Sequence, residues 1–300
     1  MVLPASELIV LADADDLAPA TAERFVTLAA GAIASHGWFA AALSGGSTPR
    51  ATYARLAGHD FASRVSWPQT HLFWGDERCV PPDDAESNYR MAREALLDRV
   101  PIPAANVHRM RGEDDPDHAA AAYERELRDF FAPRGAVVSL PGGEFPRFDL
   151  VMLGLGEDGH TASLFPGGAA LNERVRWVVA THVGAASHGN RARPRLRPRF
   201  AGSATPRPDR ASWRLTLTLP VINAAAQVMF LVSGEAKAEA LRRVLRGGAP
   251  SRRRSVEQAR GRGRRGRAQV LPAQMVKPKD GKLYWLVDAA AAALRCDACR

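Results

Sequence analysis

The sequence predicts an α/β fold, a mainly parallel sheet flanked by helices, on three observations. Short apolar runs of strand length alternate with longer segments of helical period, the order that builds a parallel sheet through helical crossovers. Four of the runs end in polar or glycine-rich turns, and in an open α/β sheet ligands bind at the carboxyl ends of the strands. The chain has 300 residues, 46% hydrophobic and 24% charged. That is enough for a sizeable core, and it excludes a disulfide scaffold, a collagen-like chain and a fully disordered one.

Taken in order, the apolar run at 7–11 is the first expected strand. A helix follows over 19–36, with Pro19 early and Gly37 just past its end, the usual asymmetry of helix termini. Strands are expected at 38–43 and 71–74, with a helix over 49–57 between them and helices over 87–100 and 116–131 after them. The segment 148–153, apolar apart from Asp149, is the clearest strand. Further strands are expected at 177–181, 214–219, 228–233 and 283–287, and helices over 235–246 and 288–294. No internal repeat is visible, and the reading is a single domain spanning 1–300.

The formal net charge of +9 is not evenly spread. Residues 183–214 hold eight Arg against Asp209 alone, and residues 249–268 hold eight against Glu257 alone, so the rest of the chain is net acidic. A basic balance confined to two stretches does not argue for nucleic-acid binding. The stretches at 187–210 and 251–267 carry Pro and Gly without an apolar period, which predicts loops or inserts. Composition leaves two origins open: functional basic arms, or local reading-frame errors in a GC-rich gene.

Cys79, Cys296 and Cys299 are too few for a structural zinc site, although Cys296 and Cys299 have a permitted spacing, and no metal is expected. Glu7, Asp13, Asp15 and Asp16 interrupt the N-terminus before an apolar signal region can form, and no apolar run reaches the ~20 residues of a membrane span. A cytoplasmic protein without a membrane partner is expected.

Four turns carry candidate chemistry. Ser44-Gly45-Gly46-Ser47-Thr48-Pro49 joins a strand to a helix; its glycines admit close backbone approach, and free N–H groups at the helix start suit an anion. It lacks the Gly-Lys-Ser/Thr ending of a Walker A loop, and a plain N-capped turn has the same pattern. Trp74-Gly75-Asp76-Glu77-Arg78 sets two carboxylates and a guanidinium after a strand. Arg78 can fork onto a phosphate and Asp76 can orient a hydroxyl or water, while a solvated ion pair is the plainer account.

Gly154-Leu155-Gly156-Glu157-Asp158-Gly159-His160-Thr161 follows the clearest strand. It spells a dinucleotide fingerprint, yet the segment runs to Phe165-Pro166 without a long helix, which argues against that site. Asp158 and His160 on a glycine loop instead suit a general base held by a carboxylate. In Ser233-Gly234-Glu235-Ala236-Lys237, Lys237 opposes the helix dipole, a cost that a bound phosphate offsets, although a solvated lysine fits the pattern equally well. Ser44, Ser47 and Ser163 lie outside any G-x-S-x-G elbow, so a serine hydrolase has little support.

In their order along the chain, SGGSTPR (44–50), WGDERCVPPDDAESNYRMAREALL (74–97), FDLVMLGLGEDGHTASLFPG (148–167), RLTLTLPVINAA (214–225) and FLVSGEAKAEALRRVL (230–245) resemble the 6-phosphogluconolactonases. The resemblance covers most of the chain and implies a Rossmann-like, NagB-type fold. It implies hydrolysis of 6-phospho-D-glucono-1,5-lactone in the oxidative pentose phosphate pathway, by a monomer with no metal or organic cofactor. The match makes His160 the base that activates water, with Asp158 beside it; Asp76, from the charged turn, is counted with them as a catalytic candidate. Ser47, Thr48, Arg78 and Lys237 become the phosphate pocket, with Gly45 and Gly46 as backbone donors. The arginine-dense stretches depart from the family, and no role is assigned to His182, His188 or Arg214.

Two rivals stand beside this reading. A phosphosugar isomerase or deaminase would use the same anion pocket, with a carboxylate such as Asp76 abstracting a C2 proton. A nucleic-acid-associated protein would bind through the arginine arms, but no stacking aromatic motif or reading helix accompanies them.

Overall fold

The computed structural model describes residues 6–183, 210–246 and 270–293, so apart from Arg210 the two arginine-dense stretches, like Cys296 and Cys299, lie outside the described residues. The chain runs β1 (Ser6–Leu11), α1 (Ala14–His36), β2 (Phe39–Leu43), α2 (Ser47–Leu56), α3 (His59–Ala62), β3 (Thr70–Trp74) and β4 (Asp76–Arg78). It continues through α4 (Asn88–Ala95), β5 (Val107–His108), α5 (Pro116–Phe131), β6 (Val137–Leu140), β7 (Gly143–Pro146) and β8 (Leu150–Leu153). Then come β9 (Val178–His182), β10 (Trp213–Leu217), α6 (Leu219–Ala224), β11 (Gln227–Val232), α7 (Ala238–Leu245), β12 (Lys282–Asp288) and α8 (Ala289–Ala292).

Seven strands form one sheet in the order β1-β12-β11-β8-β2-β3-β5, and every pairing in it is parallel. The central strands β2 and β8 are buried at every position, which explains why they read as unbroken apolar runs rather than alternating ones. The helices cover both faces as crossovers require. On one of them, α1 buries Leu17, Phe25, Val26 and Ala29, and the Phe25 ring meets Phe39 of β2 edge-on at 5.1 Å. Burial of each large apolar side chain contributes about 1.5–3 kcal/mol.

Several expected boundaries change. Helix α1 begins at Ala14 rather than 19, because the Asp13 carboxylate caps it by accepting from the amides of Asp15 and Asp16. Pro19 therefore lies inside the helix. The expected 87–100 helix stops at Ala95, where Leu96 leaves helical geometry and a 3₁₀ turn, Leu97–Arg99, follows. The expected 214–219 strand ends at Leu217, and Leu219-Pro220 opens α6, with Pro in the first turn where its missing N–H costs nothing.

The larger difference is a second sheet. β4, β10 and β9 form an antiparallel trio, so the segment expected as the charged turn 74–78 is in part a strand. It is tied to the main sheet at Gly75, whose N–H donates to Leu43 O at 2.8 Å and whose carbonyl accepts from Leu217 N at 2.9 Å. β6 and β7 add a separate hairpin. No helix among the described residues is long and apolar enough to cross a membrane.

Candidate active site

Because β11, β8, β2 and β3 are neighbours in a parallel sheet, the segments that follow their carboxyl ends emerge along one edge. They enclose a cavity of about 320 Å³ lined by Gly45, Gly46, Ser47, Thr48, Asp76, Arg78, His160 and Lys237. All of the site residues expected from sequence thus meet there except Asp158, which stands behind His160 on an adjoining groove of about 860 Å³. The groove and the cavity share Gly156, His160 and Lys237.

The loop after β2 is shaped by its glycines. Gly46 sits at φ +104° and precedes α2 without any side-chain cap, which leaves the first-turn N–H groups of Ser47 and Thr48 for an outside acceptor. At Gly45, a Cβ would fall 1.9 Å from Asn88 Oδ1. Ser44 is held from the other side by Tyr53, whose hydroxyl accepts from Ser44 N and donates to Ser44 O, both at 2.9 Å.

On β4 the two carboxylates divide. Asp76 is buried, and its Oδ2 accepts from Ser163 Oγ at 2.7 Å. Burial pushes its carboxyl above the ordinary range, against the opposing pull of the Ser163 hydroxyl and the charges of Arg78, His160 and Arg214. Glu77 points away from the cavity and anchors the start of α4, accepting from Arg78 N, Asn88 N and Tyr89 N at 2.7–2.8 Å and from Ser87 Oγ at 3.1 Å. The Arg78 guanidinium donates to the Glu86 carbonyl and faces Arg214 across the β4–β10 pairing. Burial, then the neighbouring Arg78 charge, lowers the Arg214 pKa.

After β8, His160 Nδ1 lies 2.6 Å from Asp158 Oδ1, which also accepts from His160 N at 3.0 Å. A carboxylate only accepts, so Nδ1 carries a proton, and in the neutral ring it is Nε2 that offers the lone pair. Partial burial raises the Asp158 pKa, but the backbone N–H and the ring of His160 outweigh it and hold the carboxyl below its usual value. Gly156 makes room for the pair: a Cβ there would lie 2.1 Å from His160 Nδ1 and 2.7 Å from Asp158 Oδ1. Two residues beyond His160, Ala162 is held at φ +46°, a costly conformation for a non-glycine residue. After β11, Gly234 at φ +93° donates its N–H to the Asp288 carboxylate, which also accepts from Ser233 Oγ at 2.5 Å. Lys237 follows, its Nζ 3.5 Å from Glu157 Oε1.

The sequence reading missed Asn88, which lines the cavity and donates from Nδ2 to Asp76 O at 2.9 Å. At the start of a helix an Asn reads as a plain cap, and its packing against Gly45 has no local signature. No serine hydroxyl among the described residues is hydrogen-bonded to His160; Ser163 is committed to Asp76. Nor is any group of three or more His, Cys, Asp or Glu among the described residues placed to hold a metal ion. The arrangement supplies an anion seat of helix N–H groups, hydroxyls and two cations, with an oriented imidazole at its edge.

Residues 12–285 match the family model described as glucosamine-6-phosphate isomerases/6-phosphogluconolactonase. The 6-phosphogluconolactonase of Nostoc sp. is 39% identical over 285 residues, covering 95% of this chain and 96% of that protein. That of Streptomyces coelicolor is 35% identical over 291 residues, covering 95% and 93%. Among solved structures, the 6-phosphogluconolactonase from Trypanosoma brucei superposes with a TM-score of 0.74 at 27% identity, covering 96% of this chain and 98% of that one. A monomeric glucosamine-6-phosphate deaminase of the NagB superfamily shares the fold at 18% identity and a TM-score of 0.67, covering 96% and 100%.

Proposed function

The chain belongs to the glucosamine-6-phosphate isomerase/6-phosphogluconolactonase family, and from that premise we propose that it hydrolyses 6-phospho-D-glucono-1,5-lactone to 6-phospho-D-gluconate, the second step of the oxidative pentose phosphate pathway. The observation that carries the reading is the His160–Asp158 pair at 2.6 Å on the rim of a cavity built for an anion. The phosphate sits against the Ser47 and Thr48 end of α2, with Gly45 and Gly46 as backbone donors and Arg78 and Lys237 as counter-charges. Held by that remote handle, the ring presents its carbonyl carbon to His160, so binding energy goes into orientation.

His160 Nε2 takes a proton from water as the water oxygen bonds to C1 and the carbonyl π electrons move to oxygen. The intermediate collapses by breaking the bond from C1 to the ring oxygen, which leaves with the proton returned by His160, and the carboxylic acid formed at C1 loses its remaining proton to solvent. Asp158 keeps the ring in the productive tautomer and stabilises the imidazolium between the two transfers. A base of this kind contributes roughly 10²- to 10⁴-fold. Asp76, buried between Ser163 and Asn88 and facing the same cavity, orients the sugar hydroxyls or the attacking water. No step uses a metal or an organic cofactor.

The test is hydrolysis of freshly generated lactone, corrected for background, with EDTA present throughout. Rapid turnover insensitive to EDTA is expected. Release of ammonia from glucosamine 6-phosphate without lactone hydrolysis would replace this reading with the deaminase one, in which Asp76 abstracts a C2 proton.

A further inference from the structure

The two cations that line the cavity are held differently. The Arg78 guanidinium donates to a neutral partner, the Glu86 backbone carbonyl. The Lys237 ammonium is shared with an acid: Nζ lies 3.5 Å from Glu157 Oε1. Glu157 belongs to the same glycine loop as Asp158 and His160, and its side chain is 68% exposed, so the pair is solvated and loosely held. Lys237 stands at the junction of the cavity and the groove, and Glu157 lies on the groove side of it.

The proposed reaction adds a charge at the His160 end of the ligand, away from the phosphate that Lys237 holds. A lactone ring is neutral at C1, whereas its hydrolysis product carries a new carboxylate there in addition to the phosphate. A site built only of cations and N–H donors would therefore hold its product more tightly than its substrate. From the Glu157–Lys237 pair, and resting on the lactonase reading above, we infer that Glu157 is a positioning residue that acts through Lys237. It competes with the ligand phosphate for the ammonium and so loosens the phosphate handle by which the product, like the substrate, is held. Its work is to weaken retention of the anionic product, and the chain accepts some loss of substrate affinity in return.

The test is titration of wild-type protein and Glu157→Gln with 6-phosphogluconate and with inorganic phosphate, together with product inhibition of lactone hydrolysis. Glu157→Gln keeps the shape and removes the charge. It is expected to bind both ligands roughly two- to fivefold more tightly, the range of an exposed ion pair, and to lower KM and the product inhibition constant together. A merely structural role would loosen binding instead. In a Lys237→Met background, read at correspondingly higher ligand concentration, the gain is expected to vanish, as a pairwise coupling requires.

Unchanged or weaker binding by Glu157→Gln overturns the inference, and so does a gain of equal size without Lys237. The phosphate titration needs no turnover. Lactone hydrolysis by the wild type with no tightening in Glu157→Gln therefore sinks the inference alone, while absence of hydrolysis in the wild type sinks the reading of the reaction.

Discussion

Gly156 shows how single positions fix the geometry at the residue scale. Its missing side chain is the space in which His160 and Asp158 meet, and an added Cβ would collide with His160 Nδ1 at 2.1 Å. Gly156→Ala is expected to reduce kcat on the order of 10²-fold, the cost of displacing a reacting group by about 1 Å, while phosphate affinity changes little. Steady-state kinetics beside a phosphate titration checks this, and full kcat would show that the pair tolerates displacement. The glycines of this loop were legible in the sequence as a sharp turn outside the core, because three in six positions are poor core material. The purpose of each was not, since Gly45 and Gly156 answer to atoms of Asn88, Asp158 and His160 that only folding brings near.

At the scale of elements, Asp76, Glu77 and Arg78 were legible as a charged cluster after a strand but not as a strand themselves. β4 exists through its long-range pairing with β10, which no local period announces. The alternation of a strand then separates the charges: Asp76 faces the cavity while Glu77 turns to the start of α4. Glu77→Gln puts an amide donor among three backbone N–H groups and the Ser87 hydroxyl. It is expected to cost about 1–3 kcal/mol in denaturant unfolding, the penalty of unpaired buried donors; an unchanged midpoint would contradict this role.

The far edge of the sheet carries a pH dependence of its own. His71 on β3 lies 3.2 Å from His108 on β5, which in turn meets Glu126 at 2.8 Å. Burial first, then the charges of His108 and Arg134, lowers the His71 pKa from 6.5 to about 4. Between those values the unfolded chain binds the proton that the folded one refuses, so this contribution to stability is present above pH 6.5 and is lost as pH falls towards 4. Thermal melts of His71→Gln are expected to lose less stability than wild type over that window. Parallel pH profiles for the two proteins would contradict the assignment.

For the whole molecule, the parallel sheet was legible because its strands are buried on both faces and read as apolar runs. The convergence of the four polar turns was legible because parallel neighbours share one edge. The antiparallel sheet β4-β10-β9 was not, although its strand β4 lines the cavity with Asp76 and Arg78, because its strands come from distant parts of the chain. The cavity brings together site residues of a single chain, and the protein is proposed to act as a monomer. Sedimentation is expected to give a single species near 32.4 kDa with activity proportional to concentration, whereas activity that falls away on dilution would point to an assembly.

The central claim is a division of labour, with the phosphate held by the turns after β2, β3 and β11 and the chemistry carried by the turn after β8. The most direct measurement is kcat for 6-phosphogluconolactone in His160→Ala, set beside the affinity of the same variant for 6-phosphogluconate. The account predicts a loss of roughly 10²- to 10⁴-fold in kcat with affinity changed by only a few-fold. Full kcat in His160→Ala, or loss of rate and affinity in equal measure, would contradict it.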